Sequence, residues 1–346
     1  MAKTIQHNPQ EAGSALIVVL TVLAVLTLMV AQLTANSEIA AREAQAAATR
    51  SSLRYSAESA SERAFWMLLA DRRQFRSRAV GVMQPEELAE QPRWQTDGAK
   101  HRLAYGDHEV AITLLDANSG IDVSGVNPGG RLLTFLLPDA ADLDQLETVR
   151  RFLDVLVDYI DDRERITSRL HGKTPADYAA EGWPDMPRMG ALQMREELFW
   201  IDGIESALAI LGDTARPDQL MASIRLIPPP GRAFPESGKP SFFSSNPLLV
   251  RQLSALSSEE LQELMVARDE WRESRGDFFS YLDPGLSGRL RENHSFVESS
   301  VVTIVAEASC PKGTIKRELR TTRHLSQFIQ PRGTTRAVEN WQKVLE

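Results

Sequence analysis

The sequence predicts an α+β fold: a long N-terminal helix whose first half spans a membrane, a small αβ unit with antiparallel strands, and a large α-helical domain inserted into that unit. Three observations predict it. Residues 14–33, SALIVVLTVLAVLTLMVAQL, form a nearly unbroken apolar run at the head of an otherwise polar chain. From Ser14 to Val80 there is neither glycine nor proline, so that run continues without a break into an amphipathic helix. Two regions of strand pattern, near 108–115 and 299–322, lie on either side of about 150 residues that read as helices.

The apolar run from Ser14 to Leu33 matches a bilayer. Twenty residues at roughly 1.5 Å each span about 30 Å, the thickness of the hydrocarbon core. Ser14, Thr21, Thr27 and Gln32 are its polar members, and the threonines can bond back to the preceding turn, which limits their cost in lipid. An ordinary secretory signal fits less well. Its apolar region is shorter, about 7–15 residues, and it ends at a small-residue site. Here Leu33-Thr34-Ala35-Asn36 follows the run, and Lys3 and His7 are the basic residues of the leader.

Beyond Leu33, Ile39, Ala46, Leu53, Ala57, Ala60, Ala64 and Met67-Leu68 recur at helical spacing, which marks a face turned to a partner surface. Arg42, Glu43, Arg50, Arg54, Glu58 and Glu62 lie on the other side. The bulkier end, with Phe65, Trp66, Leu68 and Leu69, is expected to pack on the protein's own sheet, and the Ala-rich first half suits close helix–helix contact.

Gly81 to Gly98 reads as a connecting loop with one helical turn at 85–90. His108–Leu115 alternates, with Val110, Ile112 and Leu114 on one face, and Asp116-Ala117-Asn118-Ser119-Gly120 closes it with turn residues. Ser299–Ala308, a turn at Pro311-Lys312-Gly313, and Thr314–Thr322 make a hairpin. Between them, Leu143–Ile160, Met194–Ile201, Ile204–Leu211, Leu248–Leu256 and Ser258–Arg268 carry helical spacing, the last opened by a capping Ser257-Ser258-Glu259-Glu260. The chain thus divides into a polar leader (1–13), a membrane span (14–33), the soluble part of the helix (34–80), the first part of the αβ unit (81–142), an inserted helical domain (143–290), closing strands (291–325) and a C-terminal tail (326–346).

Composition narrows the function. A net charge of −8 with 42% hydrophobic residues describes a globular remainder, and it argues against nucleic acid, which requires a basic face. Cys310 stands alone, so no intrachain disulfide can form. The six histidines are scattered, and His108-Glu109 lacks the second histidine of a zinc helix. Gly231 to Gly238-Lys239 superficially resembles a phosphate loop, but the spacing is too long and Pro240 stands where a serine or threonine should hold magnesium. No G-x-S-x-G elbow occurs, and acids such as Glu196 and Glu197 read as a helix face. No catalytic residue is assigned.

Over nearly its whole length, from the leader to about Leu325, the chain resembles the minor pseudopilin K family of the type II secretion system. Gly13-Ser14-Ala15-Leu16-Ile17-Val18-Val19-Leu20 resembles a prepilin start, where the peptidase cuts after glycine. Tyr55–Asp71 resembles the family's A-x-x-A-E-x-A helix end, Asp116–Ser124 its aspartate-glycine segment, and Val157-Asp158-Tyr159-Ile160-Asp161 its V-D-W-I-D. Arg195–Leu198 with Ile204, Ser245-Asn246-Pro247 through Leu253, Leu261–Arg268, and Ser299, Val301 and Arg320–Arg323 follow in family order. Individually these motifs are short; their order carries the resemblance. Glu11-Ala12 precedes the cleavage glycine, where the family commonly has a basic residue.

The resemblance implies that Ser14 becomes the mature, methylated N-terminus in the inner membrane, with the large domain in the periplasm. Its implied partners are the I- and J-type minor pseudopilins, the pseudopilus, prepilin peptidase and the inner-membrane secretion platform. Pilin-like subunits carry a glutamate at the fifth mature position, and the K type lacks it; here that position is Val18. A glutamate there pairs with the amine of a neighbouring subunit, and a subunit at the tip has no such neighbour above it. No cofactor is required, but the resemblance also implies Ca²⁺ near Asp161, Asp162, Glu164 and Asp177, beside Asp158. Arg163 replaces the family's third acid, Gly172-Lys173-Thr174 replaces its G-A-E loop, and a solvated acidic loop paired with Arg163, Arg165 and Arg169 is the alternative.

Two other readings of the chain stand beside a secretion component. One is a membrane-anchored periplasmic binding protein or enzyme with the helix as a plain anchor. The other is a helix-hairpin-helix module at Ser245–Leu282, which would need a glycine hairpin over phosphate where Leu256-Ser257-Ser258-Glu259-Glu260 offers acids.

Overall fold

A computed structural model describes residues 9–75, 77–83, 93–123, 129–137, 141–161, 169–190, 192–212, 217–226, 239–310, 316–324 and 344–345. Its elements run α1 (Pro9–Gln74), β1 (Asp97–Tyr105), β2 (His108–Asp116), β3 (Ile121–Asp122), α2 (Gly129–Leu136), α3 (Leu143–Ile160) and α4 (Pro175–Ala180). A 3-10 turn (Arg195–Trp200), α5 (Ile204–Ile210), α6 (Pro217–Ser223), β4 (Ile224–Arg225), α7 (Pro247–Leu253) and α8 (Ser258–Ser274) follow. A second 3-10 turn (Phe278–Tyr281), α9 (Pro284–Asn293), β5 (Val301–Ser309), β6 (Lys316–His324) and β7 (Val344–Leu345) complete the order. The fold is α+β.

The main sheet is antiparallel in the order β1-β2-β5-β6, with the two-residue β7 on the β6 edge. Residues distant in sequence meet at its centre, where β2 pairs with β5 in the register Ile112↔Ala306. The hairpin expected near the C-terminal end is present, with Ile304 opposite Thr321. Strand β1 was not expected: Lys100, His101 and Arg102 break the alternation, and as an edge strand it needs to bury only part of one face. A turn at Gly106-Asp107 joins it to β2, with Tyr105 opposite His108.

Helix α1 crosses one face of this sheet. Leu53, Ala57, Ala60, Ala64, Phe65, Leu68 and Leu69 share a core with Val110, Ile112, Leu114, Val302, Ile304 and Ala306. The alanines bring helix and sheet close, and the larger residues fill the wider end. Trp66 differs from expectation: it is 59% exposed on the outer face. One residue along a helix turns the side chain by about 100°, so Phe65 and Trp66 cannot both face the sheet. The helix stops at Gln74 rather than running on to Val80.

Two further cores build the helical part. One joins α2, α3, α5 and α7 through Phe135, Phe152, Leu156, Ile204 and Leu249, and takes in Ile121 and Val123. The other is aromatic, with Phe242, Phe243, Trp271 and Phe278 around α8 and α9. Local sequence rules place the helix starts. Asp142 with Gln145 and Ser257 with Glu260 form capping boxes at α3 and α8. Gly120 permits a close passage, because a Cβ there would lie 2.8 Å from the Ser223 carbonyl where β3 and β4 pair in parallel.

Every described side chain from Leu16 to Gln45 is exposed, and burial against the sheet begins at Leu53. Deleting residues 1–36 is therefore expected to give a soluble domain with unchanged core packing. Far-UV circular dichroism and the melting temperature, compared with the full chain in detergent, check this; aggregation that refolding cannot cure contradicts it.

Candidate functional site

The N-terminal helix is the feature that calls for a function. Leu16, Ile17, Val18, Val19, Leu20, Val22, Leu23, Val25, Leu26, Leu28, Met29, Val30 and Leu33 are each at least half exposed. Soluble monomers rarely leave so continuous an apolar surface to water. The helix is long and apolar enough to cross a membrane, and none of its span is buried by the rest of the protein. Its hydroxyls are satisfied internally, as lipid requires: Thr21 Oγ1 donates to the Ile17 carbonyl at 2.8 Å, Thr27 to Leu23 at 2.7 Å and Thr34 to Val30 at 2.9 Å.

Gly13 and Ser14 fall within the first turns of α1, and the Ser14 side chain lies outside the described residues. Val18 is 61% exposed on the same apolar surface, without a polar group of its own to satisfy. Between Leu33 and Leu53 the helix carries exposed polar residues, including the pair Arg42–Glu38 at 3.8 Å.

The far end of the helix is locked to the folded domain by buried charge. Asp71 accepts from Arg93 through two bonds of 2.9 and 3.2 Å and from the Trp94 backbone at 3.0 Å. Arg72 donates to the Ser299 carbonyl at 2.9 Å and lies 3.4 Å from Glu298. Glu298 in turn accepts from the Thr96 backbone and hydroxyl at 2.6 and 3.0 Å. Asp116, closing β2, accepts from the Ser299 backbone and hydroxyl, both at 2.6 Å, and from the Asn118 backbone at 2.8 Å.

Burial raises the carboxyl pKa of both Asp116 and Glu298, and the donors around each partly offset it. Burial likewise lowers that of Arg72, against the opposing pull of Glu298. On the neighbouring side, Asp97 is paired with Arg275, while Arg272 donates to the Asp97 and Phe243 carbonyls at 2.9 and 3.0 Å. These bonds tie α1, the sheet and α8 together.

Of this node, the sequence singled out Asp71 as the end of Tyr55–Asp71, Asp116 as the start of Asp116–Ser124, and Ser299 as a strand start. Arg72 and Glu298 stand 226 positions apart in sequence, and no local pattern links them.

The acidic stretch divides differently. Asp162 and Glu164, with Arg163 and Arg165, lie outside the described residues. Asp177 is committed to the α4 cap: its carboxylate accepts from the Thr174 backbone at 2.8 Å and hydroxyl at 2.7 Å, and these bonds lower its pKa. Asp161 caps the end of α3 and is buried. Asp158 lies 3.8 Å from Arg169 and packs against Gly172, where a Cβ would collide with its carboxylate.

Among the described residues no group of three or more potential ligands is placed to hold a metal ion. Asp177 is engaged by Thr174 and Asp158 lies beside Arg169. Glu197 also departs from the helix-face reading. It is fully buried, accepting from Arg188 at 2.5 Å and from the Gln193 and Met194 backbones at 3.0 and 3.1 Å.

No protein-family model matches the chain, and no curated protein matches it. Among solved structures it is similar to the crystal structure of the GspK-GspI-GspJ complex from the type 2 secretion system of enterotoxigenic Escherichia coli. The identity is 12%, the match covers 65% of this chain and 77% of that chain, and the TM-score is 0.38. A likeness of this size carries no functional assignment.

Proposed function

We propose that this chain is a minor pseudopilin of the type II secretion system, of the K type, that caps the tip of the periplasmic pseudopilus and helps to initiate its assembly. One observation carries the reading. A single helix without glycine or proline from Ser14 to its end at Gln74 is bare and apolar over a membrane-length first half, and its second half is the packing partner of an antiparallel sheet. A plain anchor has no need of a rigid continuation into the core. A filament subunit does, because its helix must serve in turn as membrane span and as filament core.

In this reading prepilin peptidase removes residues 1–13, Ser14 becomes the methylated N-terminus, and 14–33 holds the precursor in the inner membrane with the remainder in the periplasm. The I- and J-type pseudopilins, the pseudopilus and the inner-membrane platform are its partners. Calcium at Asp161, Asp162, Glu164 and Asp177 is a part of the proposal that the described donors alone do not supply.

Mass spectrometry of the mature N-terminus tests the assignment. Ser14, N-methylated, is expected in a host that carries the secretion system. Replacing Gly13 by leucine is expected to leave the leader attached while membrane insertion is kept, since the span is unchanged. A wild-type chain that retains Met1, or is cut after Leu33, would sink the pilin-type reading in favour of an ordinary anchor or signal.

Val18→Glu tests the tip position. With no neighbouring amine to meet, a charged glutamate in the hydrocarbon costs on the order of 2–4 kcal/mol, and less if protonated. Weaker co-purification with the I- and J-type subunits is expected, and Val18→Ile should be neutral. A gain from glutamate would place the subunit within the shaft.

A further inference from the structure

The helical domain holds a groove to which the N-terminal helix contributes no lining residue. It is a cavity of about 1080 Å³ beside α4, the turn at 195–200 and the start of α5. Tyr178 lies in it, 97% buried by its 3% exposure, and its hydroxyl has no hydrogen-bond partner among the described residues. Two tryptophans line the same groove and remain open to solvent, Trp183 at 61% and Trp200 at 56% exposure. Large apolar side chains exposed together in a concave site are unusual on a surface that meets only water.

The charges of the groove indicate what it fits. Lys173 Nζ lies 4.9 Å from the centre of the Tyr178 ring and is held by Glu181 at 2.6 Å and Asp202 at 3.4 Å. One cation is thus already seated on an aromatic face between two carboxylates. Arg188, the other basic residue of the lining, is taken by Glu197. Asp185 and Glu205 line the same cavity, are exposed, and have no cation partner among the described residues. Among the described lining residues acid is in excess, and the two indoles are exposed.

We propose that this groove binds an extended, arginine- or lysine-bearing segment of a partner protein. A guanidinium can lie flat on the Trp183 or Trp200 ring while Asp185 and Glu205 meet its charge, and the aliphatic stems cover the apolar lining. The Tyr178 hydroxyl offers a donor to a peptide carbonyl that enters deeply enough. A neutral glycan could stack on the same indole faces and donate its hydroxyls to the carboxylates, but it carries no charge for them to meet, so its binding would ignore salt.

The test is calorimetric titration of the full-length chain in non-ionic detergent with a capped peptide of about ten residues alternating arginine and threonine. The same peptide with glutamate in place of arginine is the control. Binding of the arginine peptide alone is expected, weakened several-fold between roughly 50 and 500 mM salt. Trp183→Ala combined with Trp200→Ala is expected to weaken it about ten-fold. Both side chains are exposed, so the core is not opened.

Asp185→Asn with Glu205→Gln, which removes no packing, is expected to weaken binding and flatten the salt dependence. Absence of binding, equal binding of both peptides, or unchanged affinity in both double variants would overturn the proposal. So would a response to neutral chitotetraose in place of the peptide. None of these outcomes bears on the N-terminus at Ser14, so failure here is distinguishable from failure of the filament reading.

Discussion

Replacing Asp116 by alanine is expected to destabilise the folded domain by about 3–5 kcal/mol, the cost of stripping one partner from a buried charged cluster. The Ser299 backbone and hydroxyl and the Asn118 backbone would lose their common acceptor, and no water can reach them at 1% exposure of the aspartate. Arg72, already disfavoured in its charged form by burial, would also lose one of the anions that support it. Asp116→Asn keeps the shape and one acceptor oxygen, and should cost less than half as much. The urea midpoint in detergent reads both. Equal, small effects would mean that water replaces the carboxylate, and that the junction between α1, β2 and β5 does not depend on it.

The second large effect is on acid stability. His294 is buried at the end of α9, edge-on to Phe242 at 6.0 Å, and among the described residues neither ring nitrogen has a partner in good hydrogen-bonding geometry, the Pro240 and Val250 carbonyls lying nearby. Burial pushes its pKa down to about 3, against the Pro240 backbone carbonyl that raises it; Arg131 and Lys239 add smaller lowering contributions and the Val250 carbonyl a smaller raising one. The neutral ring is therefore the form the fold accepts. Its contribution is complete above the ordinary histidine pKa near 6.5 and is lost as pH falls toward 3, because the unfolded chain binds a proton that the fold refuses.

Between pH 6.5 and 5 the loss should amount to roughly 2 kcal/mol. His294→Leu removes the titration, so its stability should fall less steeply over that interval than that of the wild type. Parallel curves would show that the ring finds a proton acceptor inside the fold.

The sequence declared some parts of this architecture and hid others for physical reasons. Helix α3 and the β5–β6 hairpin were legible because each buries one face in a regular period, with Val149, Phe152, Leu156 and Ile160 in the first and Val302, Ile304 and Ala306 in the second. The Ser257–Glu260 cap was legible because a cap is a local event.

Strand β1 was hidden because an edge strand with Lys100 and Arg102 has no apolar alternation to show. Helices α2, α4, α6 and α9 were not singled out, although α5 and α7, at seven residues each, were. Of the site, the membrane-length run could be read directly. The buried node could not, since Arg93, Glu298 and Arg275 find their partners only through the tertiary fold. The same holds for the aromatic groove: Trp183 and Trp200 stand seventeen positions apart, and only the fold brings them to one cavity.

The bare polar stretch of α1 also sets a height. From Thr34 to Gln45 every side chain is exposed, and at about 1.5 Å per residue those twelve positions measure roughly 18 Å. As long as the span sits in the bilayer, the sheet and the helical domain ride that far above the headgroups on a stalk without a hinge. A surface on the domain is then presented to proteins standing at a similar elevation, and lipid is out of its reach. Because the stalk is one continuous helix, its length also fixes which compass direction the domain faces: each added residue would lift it slightly and swing it through about 100°.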